Sequence, residues 1–191
     1  MPKQEMLEIL KRDREVRDIL SWPFDFDLSV SARDADWFQV KPEADTNILA
    51  CDGTGGIFLL YSPDQRLIHL TSEGQAGVIA SDLEEGIRLM VAYPYWRDLL
   101  KFSGGGKLKE MRRVAPYLER ELHGDQPDID KQRSTLKKRL SLLEAVDAIA
   151  SLHAAVSTLG KGIVVTAPDG TEFESLFNTF TVESNPAWKQ A

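Results

Sequence analysis

In Asn47-Ile48-Leu49-Ala50-Cys51-Asp52-Gly53-Thr54-Gly55-Gly56-Ile57-Phe58-Leu59-Leu60-Tyr61-Ser62-Pro63-Asp64-Gln65-Arg66-Leu67-Ile68-His69-Leu70-Thr71, three short apolar runs are separated by two clusters of turn residues. Runs of about five residues rich in β-branched and aromatic side chains, bounded by Gly, Pro and Asp, read as strands. The intervals at 52–56 and 62–65 are too short for a crossover helix, so they join antiparallel neighbours as hairpins. With a further run at 37–40, the segment predicts an antiparallel meander.

Outward from this sheet the pattern turns helical. Met6, Leu7, Leu10, Val16, Ile19 and Leu20 recur at near-helical spacing and predict an amphipathic helix over 3–21, stopped by Trp22-Pro23. On the other side, Ser81-Asp82-Leu83-Glu84 matches a capping box, and Leu83, Ile87, Met90 and Val91 supply the buried stripe of the helix it opens. Tyr93-Pro94 ends that helix, and a further helical turn or two spans 95–102. Leu108, Met111, Ala115, Leu118 and Leu122 define another helix, which Pro116 should kink or split and Gly124 should close. The strongest helical pattern, 129–159, is expected to be one long helix, followed by a hairpin of 163–166 and 172–177 around Pro168-Asp169-Gly170. Residues from 181 onward are expected to form a frayed tail. The reading is a single α+β domain over 1–180, with a core at 1–105 and a helical and hairpin extension at 106–180.

Composition narrows the function. With 42% hydrophobic residues the chain can bury a core, and its net charge of -7 disfavours binding to a phosphate backbone, which requires a basic surface. A basic protein partner would suit it. Cys51 is the only cysteine, so no internal disulfide or cysteine-based metal framework can form, and a reducing, cytoplasmic setting is expected. No apolar run is long enough for a signal peptide core or a membrane span, so neither export nor membrane association is expected.

Candidate chemistry is sparse. The glycine-rich turn Asp52-Gly53-Thr54-Gly55-Gly56 has neither the Lys-Ser/Thr nor the following helix of a phosphate loop and reads as a tight hairpin turn. Ser103-Gly104-Gly105-Gly106-Lys107 does precede a helix, yet a plain connecting loop accounts for its glycines. His69, His123 and His153 lack metal-ligand spacing, and neither a metal nor a cofactor is expected. One arrangement stays open: His69 with Glu73, beside the Asp52–Gly56 turn, could serve a small enzyme or ligand-binding domain. Tyr93, Tyr95, Trp96 and Phe102 are either core or an interface, and in the second case a structural homo-oligomer is possible. Asp25, Asp27, Asp34, Asp36, Glu43 and Asp45 crowd the entry to the sheet, where they could face a basic protein.

The central block also resembles a known family. Ala50-Cys51-Asp52-Gly53-Thr54-Gly55-Gly56-Ile57-Phe58, then Leu70-Thr71-Ser72-Glu73-Gly74-Gln75-Ala76-Gly77-Val78-Ile79-Ala80, a helix from Asp82-Leu83-Glu84-Glu85, and Tyr95-Trp96-Arg97-Asp98-Leu99-Leu100-Lys101-Phe102-Ser103 resemble the SUKH superfamily, the Smi/Knr-like proteins. The likeness covers roughly 5–105. It implies a curved antiparallel sheet packed by helices and a non-enzymatic protein-binding role, either as a bacterial immunity protein neutralising a cognate toxin or as an interaction scaffold. The residues expected to bind a partner are Asp34, Asp36, Asp52, Glu73, Tyr95 and Trp96. Two features depart from the family pattern: Trp22-Pro23 stands where Leu-Pro is common, and 129–177 has no counterpart.

Overall fold

A computed structural model of the chain describes residues 3–29, 36–144 and 146–190. Two N-terminal helices, α1 (Lys3–Arg12) and α2 (Arg14–Ser21), lead through an irregular segment to β1 (Gln39–Lys41), β2 (Thr46–Cys51), β3 (Ile57–Tyr61), β4 (Arg66–Leu70) and β5 (Gln75–Ala80). Helices α3 (Leu83–Ala92), α4 (Trp96–Lys101), α5 (Leu108–Asp125), α6 (Ile129–Arg139) and α7 (Ala148–Ala154) follow. The chain finishes with a π-helical turn (Ala155–Leu159), β6 (Val164–Thr166), β7 (Glu174–Ser175) and two short 3-10 turns. No helix among the described residues is long and apolar enough to cross a membrane.

Three of the four expected strands form the meander, β2, β3 and β4, and β5 (Gln75–Ala80), which was not expected, continues it antiparallel in sequence order; the run at 37–40 is not part of it, since β1 pairs with β6 in a separate two-stranded sheet. The sheet is nevertheless mixed, because β7 adds to the outer side of β5 as a two-residue parallel strand. Both faces of the sheet are covered. One face, carrying Phe58, Leu60, Leu67 and Ile79, packs against the helices in a core that runs from Met6 to Trp188. The other, carrying Ile57, Leu59, Tyr61, Ile68, Leu70 and Val78, lies under Phe38 and Val40 of β1, Val165 of β6 and Ala155. This explains why all five residues of β3 are buried: a strand covered on both faces has no reason to alternate.

Several expected elements are redrawn. The N-terminal helix is two, broken at Asp13, whose carboxylate accepts from the Val16 amide at 3.2 Å and so caps α2. The long helix over 129–159 is likewise two. It stops at Leu140, Ser141 takes a left-handed φ of 49°, and Asp147 caps α7 by accepting from the Ala150 amide at 3.1 Å. The capping box of α3 lies one residue later than expected: Asp82 accepts from the Glu85 amide, and the Glu85 carboxylate accepts from the Ser81 amide. Pro116 sits inside α5 without splitting it.

The terminal hairpin keeps its turn and the pairing beside it, where Thr166 bridges Glu172 antiparallel and the Phe173 amide donates to the Val165 carbonyl at 2.9 Å; beyond that its arms part. β6 pairs with β1, and β7 joins β5. Nor is the end of the chain a loose tail, since Val182 and Trp188 are buried and the Trp188 ring packs on Phe102 at 4.7 Å and on Tyr117 at 5.5 Å.

Candidate functional site

The β3–β4 register sets Phe58 opposite His69, and both side chains face the helices. His69 is 1% exposed, with Phe58 tilted against it at 4.6 Å and the edge of Trp96 at 5.1 Å. At the end of β2, Asp52 reaches under the hairpin so that its Oδ2 accepts from His69 Nε2 at 2.9 Å and from the Arg97 guanidinium at 2.8 Å. Its Oδ1 accepts from the Thr54 amide at 2.9 Å, the Thr54 hydroxyl at 2.7 Å and the Gly56 amide at 2.8 Å. Arg97 also bonds Asp25, whose other oxygen accepts from the Gly53 amide at 2.6 Å.

The glycine-rich turn therefore holds an anion already, and the anion is protein. The Gly53, Thr54 and Gly56 amides point at the carboxylates of Asp25 and Asp52, leaving none of these three for a phosphate. The second glycine loop is consumed in the same way: the Gly104 and Gly105 amides bond the carbonyls of Phe180 and Asn178 at 2.8 Å each, and Ser103 Oγ donates to Asn178 as well. Its task is to tie the C-terminal segment to the end of α4.

Burial opposes charge on both partners of the inner pair, with opposite outcomes. For His69 it prevails and pushes the imidazole below its usual value. For Asp52 it is outweighed by hydrogen bonds from His69, Thr54 and Gly56, so the carboxyl is held well below the usual range. A neutral imidazole facing a carboxylate carries its proton on Nε2, which makes Nδ1 a lone-pair acceptor. That Nδ1 is buried without a hydrogen-bond partner.

This assignment has a sign that can be tested. Because the folded His69 resists protonation while the unfolded one does not, acidification below about pH 6.5 removes up to about 1.4 kcal/mol of stability per pH unit. Asp52, depressed in the fold, adds a second loss only as the pH drops below its unfolded value of about 3.9. Urea unfolding between pH 7.5 and 5 is expected to show the first loss in the native sequence and a flatter dependence in His69→Asn. Equal slopes would mean that the folded imidazole takes up the proton.

His69 also lines a cleft of about 480 Å³. One wall is the end of β4 with the following turn and the start of β5, through Thr71, Glu73 and Gln75; another is α4, through Trp96, Arg97, Asp98, Leu100 and Lys101. The C-terminal segment closes it with Glu174, Leu176, Asn178 and Phe180. Burial raises the Asp98 carboxyl above its usual value, against the pull of Lys101 and Arg97.

The six residues expected to bind a partner are thus dispersed. Asp36 and Glu73 are exposed, and only Glu73 borders the cleft from the solvent side. Asp34 lies outside the described residues. Asp52, Tyr95 and Trp96 are buried, and Trp96 lines the cleft. Of the grouping left open in the sequence, Asp52 and His69 touch, and Glu73 shares the cleft with His69. The ion pairs of Arg97 with Asp25 and Asp52 were missed, since these residues are distant from one another in sequence, and Asp25 was read only as one of the acidic residues at the entry to the sheet. The one available signal was that a buried Asp52 needs a cation, and Arg97 sits beside Trp96 in a run already singled out.

Comparison with known proteins finds no family model, no curated protein and no solved structure that matches the chain.

Proposed function

We propose that the chain is a non-enzymatic protein-binding domain of SUKH type, acting in the cytoplasm as an immunity-like protein that holds a cognate bacterial toxin or as a related scaffold. The observation that carries this reading is the convergence of its family-like segments. The runs 70–80 and 95–103, distant in sequence, supply two facing walls of one cleft, and the turn at 52–56 buttresses them from behind through Asp52, His69 and Arg97. A net charge of -7 suits a basic partner.

The enzymatic alternative draws on the Asp52–His69 pair, in which a carboxylate orients an imidazole whose other nitrogen is unpartnered. Two facts weigh against it. Arg97 already neutralises Asp52, and the imidazole is sealed between Phe58 and Trp96. The homo-oligomer alternative relied on an aromatic surface at 93–102, but Tyr95, Trp96, Leu99 and Leu100 are buried within their own chain.

The test is a native pull-down at low and high salt, with bound proteins identified by mass spectrometry. One basic protein is expected, with affinity falling as salt rises because complementary charge steers association. Recovery of no partner at any salt overturns the proposal.

A further inference from the structure

At the turn between α5 and α6 a histidine stands among acceptors only. His123 Nδ1 lies 2.9 Å from the backbone carbonyl oxygen of Glu119, one turn earlier on α5, and 3.4 Å from the Glu119 carboxylate. Its Nε2 lies 3.1 Å from Asp130 Oδ2 in the first turn of α6. Carbonyl and carboxylate oxygens accept and cannot donate, whereas a neutral imidazole has one N–H and one lone pair. Both contacts are hydrogen bonds only when both ring nitrogens carry protons. The geometry is that of an imidazolium, and removing one proton must break one of the two bonds.

Which bond breaks follows from the surroundings. The Nδ1 bond is the shorter and stays within α5, so the remaining proton is kept there. The neutral ring then turns the Nε2 lone pair toward the Asp130 carboxylate, and attraction becomes repulsion. Arg133 of α6 is the cation of this corner. It donates to both oxygens of Glu119 at 2.6 and 3.0 Å, to the carbonyls of Val91 and Ala92 at 3.1 Å each, and to Asp130 only at a long 3.3 Å. From the segment after α3, the Tyr95 hydroxyl bonds the Glu119 carboxylate, and the Tyr93 ring packs on Tyr95 at 5.7 Å. Asp125 and Asp128, both exposed, flank the connection and add negative charge nearby.

We infer that His123 and Asp130 form a proton-operated clasp between the end of α5 and the start of α6, closed at acid pH and released when the imidazole loses its proton. The clasp lies in a corner of the molecule that the protein-binding reading does not use. Glu119 and Asp130 also line a cleft of about 540 Å³ between the end of α3, α5 and α6, so release makes the wall of that cleft more negative. The direction agrees with the electrostatics of the ring: the Glu119 carbonyl and the Asp130 carboxylate raise the imidazole above its usual value. A raised value means that the clasp is whole below about pH 6.5 and is lost as the pH rises through the folded value. That sign is opposite to the one at the buried His69. The pair is also exposed, so the effect is read at the turn itself and not from global unfolding.

The test is NMR of the isotopically labelled full chain from about pH 5 to 9, which spans the histidine range. Below the transition both His123 ring nitrogens should give protonated signals; above it, Nδ1 should stay protonated and Nε2 become bare. The Asp130 carboxyl carbon should shift with the same midpoint. In Asp130→Asn the midpoint should fall, since an amide can donate to a neutral Nε2 as well as accept from a protonated one. Backbone exchange at Ile129 and Gln132, whose amides bond the carbonyls of Gln126 and Asp128 at 3.1 Å each, gauges the start of α6. Corrected for base catalysis, their protection in the native chain should drop by about two- to fivefold across the midpoint, the scale of an exposed ion pair, and stay level in Asp130→Asn. An unchanged amide spectrum away from the turn would verify that this variant is folded. A midpoint that the substitution leaves unmoved, or a neutral ring protonated on Nε2, overturns the clasp. A lowered midpoint with level protection in the native chain overturns it as well, leaving an ion pair that holds nothing in place.

Discussion

Replacing Asp52 with alanine is expected to destabilise the fold by about 3–5 kcal/mol, the range for breaking a buried ion pair on one side. Against a typical total of about 5–15 kcal/mol, this leaves a marginal protein. The size follows from the number of groups left without an acceptor. His69 Nε2, one arm of Arg97, the Thr54 hydroxyl and the amides of Thr54 and Gly56 all donate to this one carboxylate. His69 Nε2 and the Gly56 amide cannot turn to water without opening the packing of Phe58 and Trp96 around His69, whereas the exposed Thr54 and the partly exposed Arg97 can. Urea unfolding gives the loss directly.

Asp52→Asn separates charge from shape. Its carbonyl oxygen can keep the turn amides, but its NH2 then faces the Arg97 and His69 donors. His69 can adapt by moving its proton to Nδ1 and accepting at Nε2. Arg97 cannot adapt, because it has no acceptor to offer. The expected result is a smaller loss than in Asp52→Ala, accompanied by a switched His69 tautomer in the nitrogen NMR spectrum. An asparagine variant as damaged as the alanine one, with the tautomer unchanged, would contradict the placement of the proton.

These residues also show how far the sequence could lead. The strands and turns of 46–71 were legible because their signals are local: a run of apolar residues, then Gly or Pro within a few positions; β5 (Gln75–Ala80) was not among the strands read from the residues. The breaks at Asp13 and Asp147 were not legible, since spacing alone carries an apolar stripe across each of them. In both places an Asp accepts from the amide three residues on and opens a new helix inside what reads as one. The apolar stripe was also misleading at Leu143 and Val146, which fit the periodicity yet are exposed at the break between α6 and α7.

The site was half legible for a related reason. Asp52 and His69 are joined by the hairpin register, which places Phe58 beside His69 and so brings the turn over it. Asp25 and Arg97 come from opposite sides of the sheet in sequence and meet only after the helices have packed. Electrostatic matching of this kind leaves no periodic trace in a chain. What it leaves is a demand: once a carboxylate is known to be buried, a cation must be found.

Gly56→Ala is expected to be among the most damaging single methyl additions in the chain, costing about 3 kcal/mol, the upper part of the range for overpacking a tight site. A Cβ at Gly56 would stand 2.4 Å from Asp52 Oδ2 and 2.7 Å from the backbone carbonyl oxygen of Leu70. The carbonyl belongs to β4 and cannot rotate away without breaking the β3–β4 ladder. Moving the carboxylate instead withdraws Oδ2 from His69 and Arg97, so the clash feeds into the same network that Asp52→Ala destroys. Gly55→Ala is the control that isolates space from backbone conformation. Gly55 has φ of +91°, but the nearest atom to an added Cβ is Ser72 Cβ at 3.9 Å. Its cost should be only the backbone penalty, about 1–2 kcal/mol. Thermal and urea unfolding of the two variants should therefore rank Gly56→Ala well below Gly55→Ala in stability. The His69 tautomer signal should be disturbed in the first and preserved in the second. If the ranking reversed, the turn would be specified by its left-handed glycine, and the close approach of Gly56 to Asp52 would not be what holds the ion network in register.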